Sequence, residues 1–353
     1  MTLRTSSSPD SYRLYAHIGS PYSMKMRALL RYRRIPHVVM SGMKDWARAF
    51  ENVAVPVMPV LEYPDGSFQN DSTPLIFDLE SRHAARSVIP EDEADAFLAI
   101  LIEDLADEWV SKAMYAYRWA YPEATQWTGR LIAYDQLFTQ DVESLDVIEA
   151  RGHAFETRQV SRNALVGCTE ANLPLIERIS ELVLDALESM IPTQPFLFGT
   201  RPSLADFALH GQVCQFALDL AAIEPCRERA PYTMRWIHHV HDLSGHEGSW
   251  RPPDQALPTA VSALLSLAGE AYLPFLLANE KALATGSDEV RIQAHGLTYS
   301  QAPFKYQLKC LRELRQRYAA LSPSAKQTVD PVLDAHQCLA SLASLASSEG
   351  ESK

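Results

Sequence analysis

The sequence has few cysteines, and no two of them are spaced like a redox or zinc-binding pair. The five lie far apart along the 353 residues, at Cys168, Cys214, Cys226, Cys310 and Cys338. Such spacing gives neither a disulfide framework nor a structural metal site. Free, mostly buried thiols in a reducing compartment fit it better, so we expect a cytoplasmic protein without a bound metal.

The sequence also lacks a basic stripe, a long apolar run and a secretory leader. Its net charge is −12, which makes nucleic acid and anionic membranes poor partners because they repel an acidic surface. No apolar run reaches the roughly 18 residues of a membrane span, and the N-terminus has no apolar signal-peptide core. With 47% hydrophobic and 22% charged residues, the chain has the composition of a globular protein of two or three domains.

The first predicted domain spans residues 12–89 and mixes strands with helices. Apolar and polar residues alternate over 12–18, and a helical period sets in at Ser23. The elements predicted next are a strand over 37–40, a helix over 44–52, a hairpin around Pro64-Asp65-Gly66 and a helix that Ser72 caps. This order of βαβ, hairpin and helix is too compact for a doubly wound domain and fits a thioredoxin-like fold.

The remaining chain is predicted to be helical. Residues 90–250 form an all-helical domain with helical patterns over 94–121, 170–190 and 203–217. After Pro252-Pro253, a mainly helical extension covers 251–340, with helices over 260–284 and 305–321 around an extended piece at 290–299. We expect the two Ser-rich ends to be disordered, over residues 1–11 and 341–353.

One short segment of the first domain is suited to holding a thiolate. Ser20-Pro21-Tyr22-Ser23 lies where the first strand ends and a helix begins, and free N–H groups at a helix start stabilise an anion. They lower the pKa of a thiol held there. Because the segment has no cysteine, the thiol would come from a ligand, and a hydroxyl of the segment would donate a hydrogen bond to it.

Two further segments could bind a peptide-like ligand. Met58-Pro59 enters a strand, and a cis proline there leaves the backbone N–H and C=O of Met58 free to pair with a ligand. Pro56 is the alternative proline, but Pro59 has the better context. Asp71-Ser72 at the next helix start offers N–H groups and a hydroxyl to a carboxylate, and an acid to an ammonium. Taken singly, the proline segment is equally well explained as an edge-strand feature, and the two helix starts are explained as well or better as ordinary caps.

In this order and spacing, the three segments resemble those of the N-terminal domain of glutathione transferases. Ser20 to Ser23 resemble the glutaredoxin and omega-class Cys-Pro-aromatic motif with serines for cysteines, Met58-Pro59 the cis-proline segment, and Asp71-Ser72 the motif that binds the γ-glutamyl group. Residues 196–206 are similar to the family's second-domain signature, in which Ser203 and Asp206 form a capping box. The resemblance covers roughly residues 12–240. It implies an α+β chain with a thioredoxin-like N-terminal domain and an all-α second domain.

The resemblance also implies a function. It predicts a detoxifying glutathione S-transferase, in which glutathione is the co-substrate and its thiolate attacks a hydrophobic, aromatic or halogenated electrophile. Conjugation, ether cleavage and dehalogenation all begin in this way. The resemblance further implies a homodimer. The alternative is a non-catalytic binding or scaffold protein of the same fold.

The residue that activates the thiolate is open to choice. In the serine-type classes the activating serine lies two positions before the motif proline, where this sequence has Gly19. Ser20 instead stands where the cysteine-type motif has its first cysteine. It is therefore preferred, with Ser23 and Tyr22 as alternatives. Tyr12 or Tyr15 on the first strand would imitate the tyrosine-type classes.

By the same resemblance, the second substrate binds between the two domains. The helical pattern over 94–121 supplies the candidate substrate-binding residues Trp109, Tyr115, Arg118 and Trp119. Tyr115 and Trp119 are four residues apart and share one face of the helix, and Arg118 suits an anionic or phenolic substrate. The histidines at 238, 239, 241 and 246 are spaced too irregularly for a metal site.

Overall fold

The computed structural model describes residues 11–138 and 140–344, and begins with a four-stranded sheet. Its strands are β1 (Tyr12–Tyr15), β2 (His37–Met40), β3 (Val60–Glu62) and β4 (Phe68–Asn70). The flanking helices are α1 (Pro21–Tyr32), α2 (Met43–Phe50) and α3 (Ser72–Arg82). Residues 1–10 and 345–353 belong to the ends expected to be disordered, and they lie outside the described residues.

The strand order identifies the fold of this part of the chain. The strands are ordered β2-β1-β3-β4, with β2 parallel to β1 and the other neighbours antiparallel. This arrangement, with its helices, is thioredoxin-like, so the predicted fold class is confirmed. Strand β1 ends at Tyr15, three residues earlier than the alternation predicted, because the chain leaves the sheet before α1.

The register of the sheet brings three distant segments to one edge. Tyr15 pairs with Val60, and Val60 pairs with Asn70. The residues after β1, those before β3 and those after β4 therefore lie at the same edge of the sheet. These are the three segments that the sequence marks as ligand-binding.

A helical region follows the sheet. Its helices are α4 (Glu93–Leu105), α5 (Ser111–Trp119), α6 (Pro122–Leu137), α7 (Leu145–Val160), α8 (Leu173–Met190), α9 (Leu204–Phe216), α10 (Ile223–Arg229) and α11 (Pro231–Val240). A π-helical turn, Ala106–Val110, joins α4 to α5. Every residue of α9 is buried, and α9 packs against both α1 and α4. Its predicted capping box is present, since the Ser203 N–H donates to Asp206 Oδ2 over 2.8 Å.

Helices α6 and α7 form an antiparallel hairpin that the sequence patterns did not reveal. The exposed large apolar residues of α6 explain why, because they blur its amphipathic pattern. They lie at Trp127, Leu131 and Tyr134, with Phe138 just beyond the helix.

The extension is more regular than predicted. It contains α12 (Thr259–Leu267), α13 (Leu273–Thr285), β5 (Val290–Ala294), β6 (Leu297–Gln301), α14 (Lys305–Ala320), α15 (Pro323–Ala335) and α16 (Leu339–Ala343). Strands β5 and β6 form a hairpin around His295-Gly296, both with positive φ, a two-residue turn without the usual Asn-Gly signal. Helix α16 continues regular structure three residues into the tail that was expected to be disordered.

The segment Thr259–Thr285, which includes a π-helical turn, is long and apolar enough to cross a membrane by length and composition alone. The sequence pattern did not predict such a segment. In the folded chain, 67% of its most apolar window is buried inside the molecule. Tyr272 and Phe275 are fully buried there, so its apolar character serves packing.

Candidate functional site

At the start of α1, the Ser20 hydroxyl lies at the sheet edge and accepts a hydrogen bond without donating one to any described residue. Ser20 is the N-cap of α1, and its Oγ accepts a hydrogen bond from the Ser23 N–H over 3.2 Å. The Ser20 side chain is therefore held in place while its own O–H remains available to donate. The Ser20 residue is 8% exposed.

The other candidate hydroxyls differ in whether they already take part in a hydrogen bond within the protein. The Tyr22 hydroxyl donates to the Asp107 carbonyl oxygen over 2.9 Å, and burial raises the pKa of Tyr22 well above its usual range. Ser23 is fully buried, and its Oγ has no hydrogen-bond partner in the described part of the chain. On β1, the Tyr15 hydroxyl donates to Glu62 over 2.6 Å, and Tyr12 Oη is 2.9 Å from His83 Nε2.

The second segment has the predicted cis peptide bond. The bond between Met58 and Pro59 is cis. Neither the N–H nor the C=O of Met58 has a hydrogen-bond partner within residues 11–138 and 140–344, and the residue is half-buried. Its backbone is thus open to pairing with an extended peptide ligand.

The third segment places an acid at the same edge. Asp71 occupies the N-cap position of α3 with φ 75°, and its side chain makes no capping hydrogen bond. Ser72, predicted as the cap, is instead the first residue of the helix. Because its own helix does not use it, the Asp71 carboxylate is available to other groups.

A buried ion network lies beneath Ser72. Lys25 from α1 is 1% exposed; its Nζ donates to Asp107 Oδ2 over 2.6 Å and to Glu103. Ser72 Oγ lies 3.4 Å from both Lys25 Nζ and Asp107 Oδ2. Burial alone would lower the pKa of Lys25, but the two carboxylates raise it above its usual value.

Sequence inspection missed this network. The helical pattern from Ser23 onward does not mark Lys25 as buried, although its side chain is 1% exposed. The available signal was the spacing of Glu103 and Asp107, which are four residues apart and so can share one face of a helix. The network ties the starts of α1 and α3 to the helical region.

Arg118 supports the loop before Ser20. Its Nη1 donates to the Gly19 carbonyl oxygen over 2.6 Å, and its Nε contacts both oxygens of Asp219 at 2.8 and 3.0 Å. Gln215 donates to the Ile18 carbonyl oxygen over 3.2 Å. Arg118 is only 4% exposed, so its guanidinium is occupied by the protein rather than turned towards a substrate.

The other three candidate substrate residues also make contacts within the protein, and Tyr115 is half-buried. Trp109 is fully buried, with ring-centroid distances of 4.7 Å to Phe275 and 5.1 Å to Tyr299 of the extension. The Tyr115 hydroxyl donates to the Gln159 carbonyl oxygen over 2.8 Å, and Trp119 is 4% exposed beneath α7. The structure therefore does not bring them together as an open substrate surface.

A cavity of about 520 Å³ borders the same loop. Its lining begins with Ile18 and Met24, which flank the Ser20 segment, and continues on α9 and α11. Apolar side chains such as Met234 and Ile237 share the wall with the basic side chains Arg227, Arg235, His238 and His241. The cavity suits an apolar molecule with a negative or polarisable group.

The protein's own thiols are unsuited to nucleophilic chemistry. All five cysteines are buried, and burial raises the pKa of each thiol above its usual value. Within the described residues, no cluster of histidine, cysteine and acidic side chains is arranged to hold a metal ion.

Comparison with known families agrees with the geometry. Residues 14–87 match the family model described as glutathione S-transferase, N-terminal domain. A search of curated proteins gave no match. The solved structures below resemble the chain at low sequence identity.

One similar solved structure is a glutathione S-transferase from Methylobacterium radiotolerans in complex with glutathione sulfonate. It is 17% identical in sequence, the match covers 70% of this chain and 100% of that chain, and the TM-score is 0.42. The two structures that follow are given with the same coverages in the same order. One from Methylobacillus flagellatus with bound glutathione is 18% identical (64% and 93%, TM-score 0.39). A beta-etherase from Sphingobium is 15% identical (65% and 94%, TM-score 0.44). Residues 14–87 are therefore similar in sequence to the N-terminal domain of glutathione S-transferases, and the sheet they form has the thioredoxin-like strand order.

Proposed function

We propose that this chain is a glutathione S-transferase whose residues 12–89 bind glutathione and activate its thiol. The observation that carries the proposal is the meeting of three segments at one sheet edge. They are the Ser20 helix start, the unpaired backbone of Met58 before cis Pro59, and Asp71-Ser72. Residues 90–250 then form the substrate domain, and residues 251–340 form an extension packed against it.

Each segment has a part in the proposed binding mode. The backbone N–H and C=O of Met58 pair with the cysteinyl unit of glutathione, and Asp71 with Ser72 holds the γ-glutamyl end. The thiol then lies at the start of α1, where the helix N–H groups and the Ser20 hydroxyl stabilise its deprotonated form. Ser20 is favoured over Tyr22 because the Tyr22 hydrogen is already donated to Asp107.

The reaction proposed is nucleophilic attack by the bound thiolate. The glutathione thiol gives its proton to solvent, and its sulfur forms a bond to an electrophilic carbon. In a substitution, a halide or aryloxide leaves with the bonding electron pair. The chain contributes thiolate stabilisation and positioning.

For the second, hydrophobic substrate we propose the cavity beside Ile18 and Met24. Trp109, Tyr115, Arg118 and Trp119 are given a supporting role, since all four make contacts within the protein. A homodimer is proposed on the family resemblance alone, and a cytoplasmic location on the five free cysteines. Light scattering on the purified protein tests the first of these.

Replacing Ser20 by alanine tests the proposed activator. Loss of a hydrogen bond to a charged group costs about 1.5–3 kcal/mol, so we expect kcat/KM with chlorodinitrobenzene to fall about 10- to 100-fold. Ser23→Ala is the matched control, because Ser23 also lies in the first turn of α1, and its effect should stay within a few-fold. The opposite ranking would make Ser23 the activator. Glutathione binding without turnover of any electrophile would favour the non-catalytic alternative.

A further inference from the structure

The extension reaches the acid of the proposed γ-glutamyl site. Tyr306 in the first turn of α14 donates its hydroxyl hydrogen to Asp71 Oδ2 over 3.1 Å. Lys309, one turn further on, places its Nζ 3.9 Å from the same oxygen. These contacts join residues more than 230 positions apart in the chain.

The start of α14 is held firmly enough to define a binding wall. Asn279 on α13 is fully buried, and its side-chain amide donates to the Phe304 carbonyl oxygen over 3.0 Å. The Phe304 N–H donates back to Asn279 Oδ1 over 2.8 Å. Since both main-chain groups are paired, Tyr306 and Lys309 project from a fixed backbone.

The outer face of α14 is locally basic in an acidic protein. A groove of about 550 Å³ is lined there by Lys305, Lys309 and Arg312, with Glu313 as the acid among its lining residues. The net charge of the whole chain is −12. Lys309 also lies 3.7 Å from Glu313, so its ammonium lies between two carboxylates.

We propose that Tyr306 and Lys309 complete the γ-glutamyl end of the glutathione site, an inference that rests on the proposed function. The amino-acid end of a γ-glutamyl group carries one ammonium and one carboxylate. Asp71 takes the ammonium, and Lys309 takes the carboxylate together with the N–H groups at the start of α3. Tyr306 holds the Asp71 carboxylate in place through its hydrogen bond.

The two residues therefore act on different parts of the ligand. Lys309 is a specificity residue for the α-carboxylate, whereas Tyr306 is a positioning residue that acts through Asp71. A ligand analogue that keeps the amine but lacks the α-carboxylate, 4-aminobutanoyl-cysteinylglycine, separates them. It can still pair with Asp71 but has nothing to offer Lys309.

The experiment is calorimetric titration of the full chain with glutathione and with this analogue. We expect Lys309→Ala to weaken glutathione binding about three- to tenfold and to leave analogue binding unchanged. Tyr306→Phe should weaken both ligands by a similar factor. Lys305→Ala is the matched control, since Lys305 lies on the same exposed helix face and lines the same groove. It should change neither affinity, and thermal unfolding of each variant confirms folding.

The outcomes distinguish the proposed role of Tyr306 and Lys309 from the proposed glutathione S-transferase function on which it rests. If the wild-type chain binds glutathione and Lys309→Ala behaves like Lys305→Ala, the inference is wrong while the proposed function stands. Tighter glutathione binding by Lys309→Ala or Tyr306→Phe would also overturn it, because the extension would then compete with the ligand. If the wild-type chain binds no glutathione, the proposed function fails and the inference fails with it.

Discussion

At the scale of single residues, the Lys112 ammonium is buried and almost fully shielded from water. It is 6% exposed, and its Nζ donates to Gln301 Oε1 over 2.9 Å and to the Val166 carbonyl oxygen over 3.1 Å. The rings of Trp109, Phe275 and Tyr299 surround it at 5.2–5.5 Å. Burial lowers the pKa of Lys112 to about 8.

This lowered pKa gives the protein a defined pH dependence. An unfolded lysine keeps its proton up to a pH of about 10.4, while the folded chain loses it from about pH 8. Between these values the unfolded state binds more protons, so the free energy of unfolding rises with pH through this group. Below pH 8 both states are protonated, and the contribution of Lys112 is constant.

We expect Lys112→Met to lack this rise. The measurement is urea unfolding of the wild type and the variant from about pH 7 to pH 9.5, a range set by these two pKa values. The wild type should gain stability relative to Lys112→Met as the pH rises. Lys281→Met, at an exposed position, is the control and should show no such trend. A wild-type-to-Lys112→Met difference that does not vary with pH would contradict the account.

At the scale of elements, the closeness of α9 and α1 positions the Ser20 helix start. A Cβ at Gly211 would lie 2.5 Å from the Pro21 carbonyl oxygen. That oxygen belongs to the backbone, so it cannot relieve the clash by changing a side-chain rotamer. Glycine at this position lets α9 touch the first turn of α1. The site geometry therefore depends on a residue with no side chain.

Gly211→Ala is expected to move or strain this turn. Overpacking of this kind costs about 1–3 kcal/mol in unfolding free energy, and we expect KM for glutathione to rise as well. Gly245→Ala is the control, because a Cβ there meets nothing within 4 Å; its effect should stay within about 0.5 kcal/mol. Denaturant unfolding and steady-state kinetics measure both. If Gly211→Ala had the wild-type unfolding free energy and KM for glutathione, the two helices could move apart without cost, and this contact would not set the site geometry.

Features of the fold and the site that depend on residues close in sequence could be predicted, whereas those that depend on distant residues could not. The cis bond at Met58-Pro59 and the capping box at Ser203 depend on neighbours in sequence, and the sequence predicted both. The burial of Lys25 depends on Glu103, 78 positions away, so no local pattern marks it. Trp109 was predicted in a cleft because nothing in its own helix shows that the extension covers it.

At the scale of the whole molecule, the extension is part of the core. Phe275 and Tyr299 pack on Trp109, and Tyr272 donates to Asp104 on α4 over 2.6 Å. The described chain forms one large apolar cluster from β1 to α16. We therefore expect the extension to unfold together with the helical region.

Phe275→Ala tests this shared core. Deleting a fully buried phenylalanine costs about 3–5 kcal/mol, and the loss should shift a single unfolding transition seen by both fluorescence and circular dichroism. Tyr232→Ala removes a ring that is 58% exposed and should change stability by less than about 0.5 kcal/mol. A separate early transition in Phe275→Ala, with the remainder unfolding at the wild-type midpoint, would mean that the extension folds independently.

The central claim is that the sheet edge formed by Ser20, Met58 and Asp71 binds glutathione. Calorimetric titration of the purified full chain with glutathione tests it most directly, with Asp71→Ala as the companion variant. The account predicts one site with a Kd of about 1 mM or tighter, and clearly weaker binding by the variant. A folded wild-type chain that releases or absorbs no binding heat at this concentration, or an Asp71→Ala variant that binds equally well, would contradict it.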